Sequence, residues 1–282
     1  MSFPDEGTAV TENMDESKSV SRSHTRLRWI LLALAVLLTV VWLFLTPDGI
    51  LGKADAVGYA VCHRISVRAY HIHDRPMPLC ARCSGMFLGA LLGMVYQFSQ
   101  GKKGKMPPFP AFVLFGLMAL AWALDGVNSF LMLTPMVDAV YETTNLTRLI
   151  TGTGMGLAVS AVLYPAFIQT MFNTWKDDSA LGNYRQVGGL ILLAALVDVL
   201  VVVEIPWVLY VLALLSAAGV LGLLMTVYSM VFVMIAKLEN TYSQFRQLVN
   251  PILAGYLIAL AQIGAIDLFR YLWTGTWSGF SL

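Results

Sequence analysis

Between Cys62 and Gly85 the sequence CHRISVRAYHIHDRPMPLCARCSG holds all three cysteines, three of the four histidines and four arginines, Arg64, Arg68, Arg75 and Arg82. Cys80 and Cys83 form a C-x-x-C pair, which sets two thiolates at the spacing a tetrahedral metal needs. Cys62 can supply a third sulfur and His63 a nitrogen, giving a Cys3His shell. Neighbouring side chains in an extended chain point in different directions, so His71 or His73 could replace His63. Soft thiolates favour zinc or copper(I) over magnesium or calcium, and zinc is the expected cofactor.

Two other chemistries stay open. A disulfide suits an external, oxidising loop, although three cysteines leave one over. A redox-active C-x-x-C is the other, with a thiol made more acidic by Arg82 and the helix N-terminus that follows. A closed Cys3His shell would be structural, whereas a shell with an open position would be catalytic.

What must position this cluster is mostly apolar. The chain of 282 residues is 57% hydrophobic and 12% charged, against roughly 45–50% and 25% in soluble domains. Residues 29–46, 109–132, 149–171, 187–203, 207–236 and 251–273 each come near the ~18–20 apolar residues that cross a bilayer. Residues 84–98 form a shorter run with three glycines. Backbone amides in hydrocarbon must bond within their own segment, so these runs are helices. The expected fold is all-α, a polytopic membrane protein of about seven transmembrane helices with a Cys/His-rich loop. A net charge of +1 offers no extended basic surface for nucleic acid, so the bilayer is the partner composition implies.

Residues 1–25 are polar and rich in Ser, Glu and Asp, which predicts a disordered tail before a membrane domain over 26–282. Arg22, Arg26 and Arg28 abut the first span, and Lys102, Lys103 and Lys105 follow the second. Basic residues favour the cytoplasmic side, so the N-terminus is expected inside a cell membrane and the loop 47–83 outside. The arginines of that loop vote the other way, unless a folded site holds and pairs them.

Several polar groups are candidates beside the cluster. Asp125 near the end of its span, Glu142 and Arg148 are candidate catalytic groups, the carboxylates as acid or base and the arginine as an anion clamp. Glu142, Asn145 and Arg148 succeed one another at one-turn spacing, so they can share a face. Arg148 beside Asp125 would make a natural buried ion pair. Asp198 is by position the deepest carboxylate in the chain. On the expected topology Cys62, His63, Cys80, Cys83, Asp125, Glu142, Asn145, Arg148 and Glu204 all reach one membrane face.

The pieces Cys62-His63-Arg64, Pro78 to Gly85 as P-L-C-A-R-C-S-G, Leu124-Asp125-Gly126 and Asn145-x-x-Arg148-x-x-Thr151-Gly152 resemble the DUF2085 family of predicted membrane proteins. The resemblance covers residues 60–158 and leaves the C-terminal helices of 187–282 outside it. It implies a polytopic membrane protein with this Cys/His region and brings no activity with it. The functional expectation is a metal site on the external face, grouped with Asp125, Asn145, Arg148, Arg64 and Arg82, where a small molecule or protein partner could bind. The alternatives are a transporter using Asp125 and Asp198, or a thiol-disulfide protein using Cys80 and Cys83.

Overall fold

The computed structural model describes residues 6–132 and 140–279, with side chains from residue 26. In chain order the elements are α1 (Glu6–Leu45), α2 (Ile50–Val61), a hairpin of β1 (His71–Ile72) and β2 (Arg75–Pro76), α3 (Ala81–Ser99), α4 (Phe109–Leu131), α5 (Asn145–Met171), α6 (Tyr184–Val202), α7 (Pro206–Ile235) and α8 (Val249–Thr274). Six stretches are long and apolar enough to span a membrane: Arg26–Leu45, α4, α5, α6, α7 and Phe245–Thr274. The chain is an all-α, multi-pass membrane protein. Of the expected tail, residues 1–5 lie outside the described residues, and 6–25 are described only as the polar backbone extension of α1.

The seventh helix that connects the two ends of the bundle is α3. At 19 residues it is about 28 Å long, close to the thickness of a hydrocarbon core. It tolerates small and polar residues because its neighbours cover it instead of lipid: Ser84, Gly85, Ala90, Gly93 and Gln97 are all buried. It runs parallel to α5, with Gly85 against Leu149, Gly93 against Ser160, and Phe98 edge-on to Tyr164 at 5.0 Å. A methyl group at Gly152 would overlap the carbonyl oxygen of Arg82, and one at Gly156 that of Met86. The two helices therefore pack backbone against backbone, the usual route to close approach in lipid. Gln97 Nε2 donates to the Ser160 carbonyl across this seam at 2.9 Å.

α4 and α6 run antiparallel to α5, while α7 and α8 form an antiparallel pair that closes the bundle. The loops after α3, α5 and α7 gather at one end. There Lys103 pairs with Asp178 at 2.9 Å, Lys105 faces Asp177, and Asn240 N donates to the Thr170 carbonyl. The cysteines, the hairpin, Asp125 and Arg148 sit at the other end.

Residues 47–83 are not simply a loop. They contain α2, twelve residues with Gly52, Ala54, Ala56 and Gly58 buried, and the short hairpin. α2 escapes a hydropathy scan because it is too short to span and carries Lys53 and Asp55. Its small residues instead let it lie against α7, α8 and the Pro78 carbonyl. A further correction concerns depth. Asp198 lies in the last turns of α6 at the cysteine end, with its carboxylate accepting from Thr153 Oγ1 at 2.6 Å. It is half-buried, whereas Asp125 and Asp267 are almost fully enclosed.

Candidate metal centre

Cys62 ends α2. Its N–H closes the last helical turn onto the Gly58 carbonyl at 2.8 Å, and its own backbone then turns extended. The strand leaving it is held from α8. Arg270 Nη1 donates to the carbonyls of Tyr59 at 2.6 Å and Cys62 at 2.7 Å, and its guanidinium lies 4.0 Å over the Tyr59 ring. Arg64 adopts a positive φ of 53°, pairs with Asp55 at 2.7 Å and donates to the Trp277 carbonyl at 3.0 Å. Asp55 also binds Arg75 at 2.5 Å, so two of the loop arginines share one carboxylate.

Cys80 is the N-cap of α3, and Cys83 lies in its first turn. Cys80 N–H donates to Cys62 Sγ at 3.3 Å, and Arg64 N–H does so at 3.4 Å. The three sulfurs all fall within 4.8 Å of one another, and the cysteines are free of disulfides. Cys62 and Cys80 are buried and Cys83 half-buried. Hydrogen bonds from the Cys80 and then the Cys83 thiol hold the Cys62 thiol well below the usual range, while the bond with Cys62 pushes Cys80 up. The Cys62 sulfur thus sits at the C-terminal end of α2 and accepts two backbone N–H groups beside the N-terminus of α3.

Among the described residues no histidine, aspartate or glutamate joins that cluster. His63 Nδ1 accepts the Ile65 N–H at 3.1 Å, which puts the proton of a neutral ring on Nε2 and occupies the lone pair on Nδ1. Burial, ahead of the neighbouring arginines, lowers the pKa of this ring and keeps it neutral. His71 Nε2 meets Ser66 Oγ at 3.2 Å, and its N–H donates to Glu204 Oε1 at 3.2 Å. His73 is exposed at the hairpin turn with φ 56°.

Beside the sulfurs lies a polar layer made by the starts of α3 and α5 and the end of α4. The pair expected between Asp125 and Arg148 does not form. Arg82 takes Asp125 instead, through Nη2 and through Nε at 3.1 Å, with Nη2 also on the Asp125 carbonyl. Tyr141 Oη and Thr151 Oγ1 donate to the same carboxylate at 2.8 and 3.3 Å. The reason is axial position: Arg148 sits about one turn nearer the end of the bundle and faces Ser129 rather than Asp125. Its Nη1 donates to Asn145 Oδ1 at 3.1 Å, and Asn145 Nδ2 in turn donates to the carbonyls of Val67 and Ala69. Glu142 is exposed and takes part in none of these contacts.

Residues 62–162 match the DUF2085 family model. The family is described as a predicted membrane protein, and the matched segment contains the cysteine trio, Asp125, Asn145 and Arg148. The uncharacterized protein MJ1492 of Methanocaldococcus jannaschii is 29% identical over 122 residues, covering 43% of this chain and 72% of that protein. No solved structure matches. α2 and the whole of α6 to α8 lie outside the matched segment, yet Arg270 of α8 holds the carbonyl of its first residue, Cys62.

Several residues of this end escaped the sequence reading. Asn128 fixes the chain before α5 by binding the Tyr141 carbonyl and Val140 N–H, both at 2.8 Å. Its signal was weak, an asparagine one turn after Asp125. Arg270 could have been found as a cation one turn after Asp267 in an apolar helix. Arg68 stood in plain view among the loop arginines, but spacing alone did not separate it from Arg64 and Arg75.

Proposed function

We propose that Cys62, Cys80 and Cys83 hold one zinc ion at the external face of the membrane, and that this centre organises a binding site for a small molecule. The observation that carries the reading is the convergence of three free sulfurs from two separate segments within 4.8 Å. With Zn–S near 2.3 Å, sulfurs in a tetrahedral shell stand about 3.8 Å apart, so small side-chain rotations suffice. His63 is the candidate fourth ligand. It would exchange the Ile65 N–H for the metal at Nδ1, and His71 and His73 remain alternatives on the hairpin. Zinc would act as a Lewis acid if one position stays open to substrate, and as a brace if His63 closes it. Asp125 serves in this reading to position Arg82, because its oxygens are engaged by Arg82, Tyr141 and Thr151. Zinc analysis of the purified protein tests the reading: about one ion per chain is expected, falling to none in Cys62→Ser.

One observation favours a second chemistry. A Cys62 sulfur that accepts two backbone N–H groups beside two further thiols is also an arrangement for thiol-disulfide exchange. The transporter reading loses support, since Asp198 lies near the cysteine end, bonded to Thr153.

The external placement rests on charge. Lys102, Lys103, Lys105, Lys176 and Lys237 lie at the end opposite the cysteines, and basic loops favour the cytoplasm. Of the four loop arginines that argued the other way, Arg64 and Arg75 share Asp55 and Arg82 pairs with Asp125, so two carboxylates offset part of their charge and Arg68 stays without a counter-ion among the described residues. Epitope tags inserted after Asp74 and after Gly101 are expected on opposite sides of the membrane, the first reached by antibody in intact cells. Labelling of both from one side would contradict seven crossings.

A further inference from the structure

The charge at the cysteine end does not balance. Arg82 is matched by Asp125. Arg148 is 6% exposed and bonds only neutral oxygens, Ser129 Oγ at 3.3–3.4 Å and Asn145 Oδ1 at 3.1 Å. Arg68 is 8% exposed, and among the described residues its guanidinium has no hydrogen bond or ion pair, its nitrogens reaching solvent at the site's edge. Asn145 brings these two cations together: one end of its amide accepts from Arg148, and the other holds the carbonyls on either side of Arg68. Arg68, Arg82 and Arg148 all act electrostatically on His63, and Arg68 and Arg148 each feel another arginine. Three thiolates around a divalent metal would return a single negative charge, which still leaves one guanidinium uncompensated.

Buried charges in proteins are paired or hydrogen-bonded, because an unmatched one is expensive to keep from water. Among the described residues Arg148 has no carboxylate partner and the Arg68 guanidinium meets only solvent, so two guanidinium groups tied to one asparagine, one of them through its flanking carbonyls, are left for an anion to complete. Guanidinium forks fit the oxygens of a tetrahedral oxyanion in bidentate fashion. The positive ends of α3 and α5 point to the same region and add to its pull.

We propose that Arg68 and Arg148 form a binding site for a phosphate-type oxyanion beside the cysteine cluster. The proposal deepens the small-molecule reading above by naming the ligand chemistry, and it stands on the arginines whether or not zinc is bound. The phosphate could belong to a free anion or to a phosphomonoester lipid headgroup.

The full chain in phosphatidylcholine nanodiscs is melted with sodium phosphate and with sodium chloride at equal ionic strength, and again in nanodiscs containing phosphatidic acid without free phosphate. A higher Tm with phosphate marks a soluble ligand, and a higher Tm only with phosphatidic acid marks a headgroup. No stabilisation in either arm overturns the proposal. Arg68→Met should weaken the anion's binding about tenfold or more, the loss of one charge-assisted pair. The same variant should melt higher than the parent in chloride, because an unmatched charge has gone. Lower stability of Arg68→Met in chloride together with an unchanged phosphate shift would show a purely structural arginine and overturn the site. Arg148→Lys keeps the charge, lacks the fork, and should give an intermediate shift if Arg148→Met does not fold. Zinc content measured on the same samples keeps the two readings apart. Zinc-free protein that still gains stability from phosphate retires the metal alone, and zinc-loaded protein that gains none retires the anion site alone.

Discussion

Replacing Cys80 by serine is expected to lower the melting temperature of the purified protein by roughly 10 °C, and a strong chelator should produce a similar fall in the unmodified chain. Cys80 caps α3, its N–H bonds Cys62 Sγ, and its own sulfur lies within the cluster, so it joins the two segments that meet at the site. A metal bound only by the folded chain adds its binding free energy to folding. Serine suits the N-cap position, where Cys80 makes no side-chain cap bond, and is nearly the size of cysteine, so the N-terminus of α3 should survive while the ligand is lost. The effects of chelator and substitution should not add, since both remove the same ion. Affinity should fall as the pH is lowered, because protons compete for the thiolates and imidazole. A Cys80→Ser protein that melts with the parent, and is indifferent to chelator, would mean that the sulfurs are packing and nothing more.

The second large effect concerns Asp125. Exchange to asparagine leaves Arg82 largely enclosed without its counter-charge, and should cost about 3–5 kcal/mol in thermal or denaturant unfolding. Asparagine can still meet Tyr141 and Thr151, so the loss isolates the ion pair from the rest of the carboxylate's contacts. The double variant Arg82→Met, Asp125→Leu should recover most of that loss, as apolar replacement of a whole buried pair is often neutral. A single Asp125→Asn variant as stable as the parent would show that Arg82 finds another partner, and a double variant worse than either single one would show that the pair matters beyond its charge.

The expectations that reached the structure intact were those resting on long-range patterns. Alternating spans and lysine positions put Cys62, Cys80, Cys83, Asp125, Asn145 and Arg148 at one end of the bundle, because crossing a bilayer leaves a residue only two ends to occupy. Pairing within that end was not legible. Whether Asp125 takes Arg82 or Arg148 depends on the rotation of α3 and the axial offset of α5 by one turn, and a sequence carries neither. α2 was hidden by its length and by the small residues that let it pack against α7 and α8. Arg270 near the end of α8 reads in sequence as a cation at a membrane interface. Only its bonds to the Tyr59 and Cys62 carbonyls reveal a clamp on the cysteine loop. α2 and Arg270 share a cause: they lie outside the matched segment and support it through contacts to its backbone, which leave no motif.

The proposed centre requires three sulfurs to share one ion. Native mass spectrometry of the protein purified without reductant or chelator tests it most directly, read together with the intact mass after denaturation and thiol alkylation. The expected result is a native mass heavier by one zinc ion, loss of that increment in Cys83→Ser, and three alkylated cysteines after denaturation. A metal-free native mass with a Cys80–Cys83 or Cys62–Cys80 disulfide, in protein whose melting temperature is unmoved by added zinc, would contradict it.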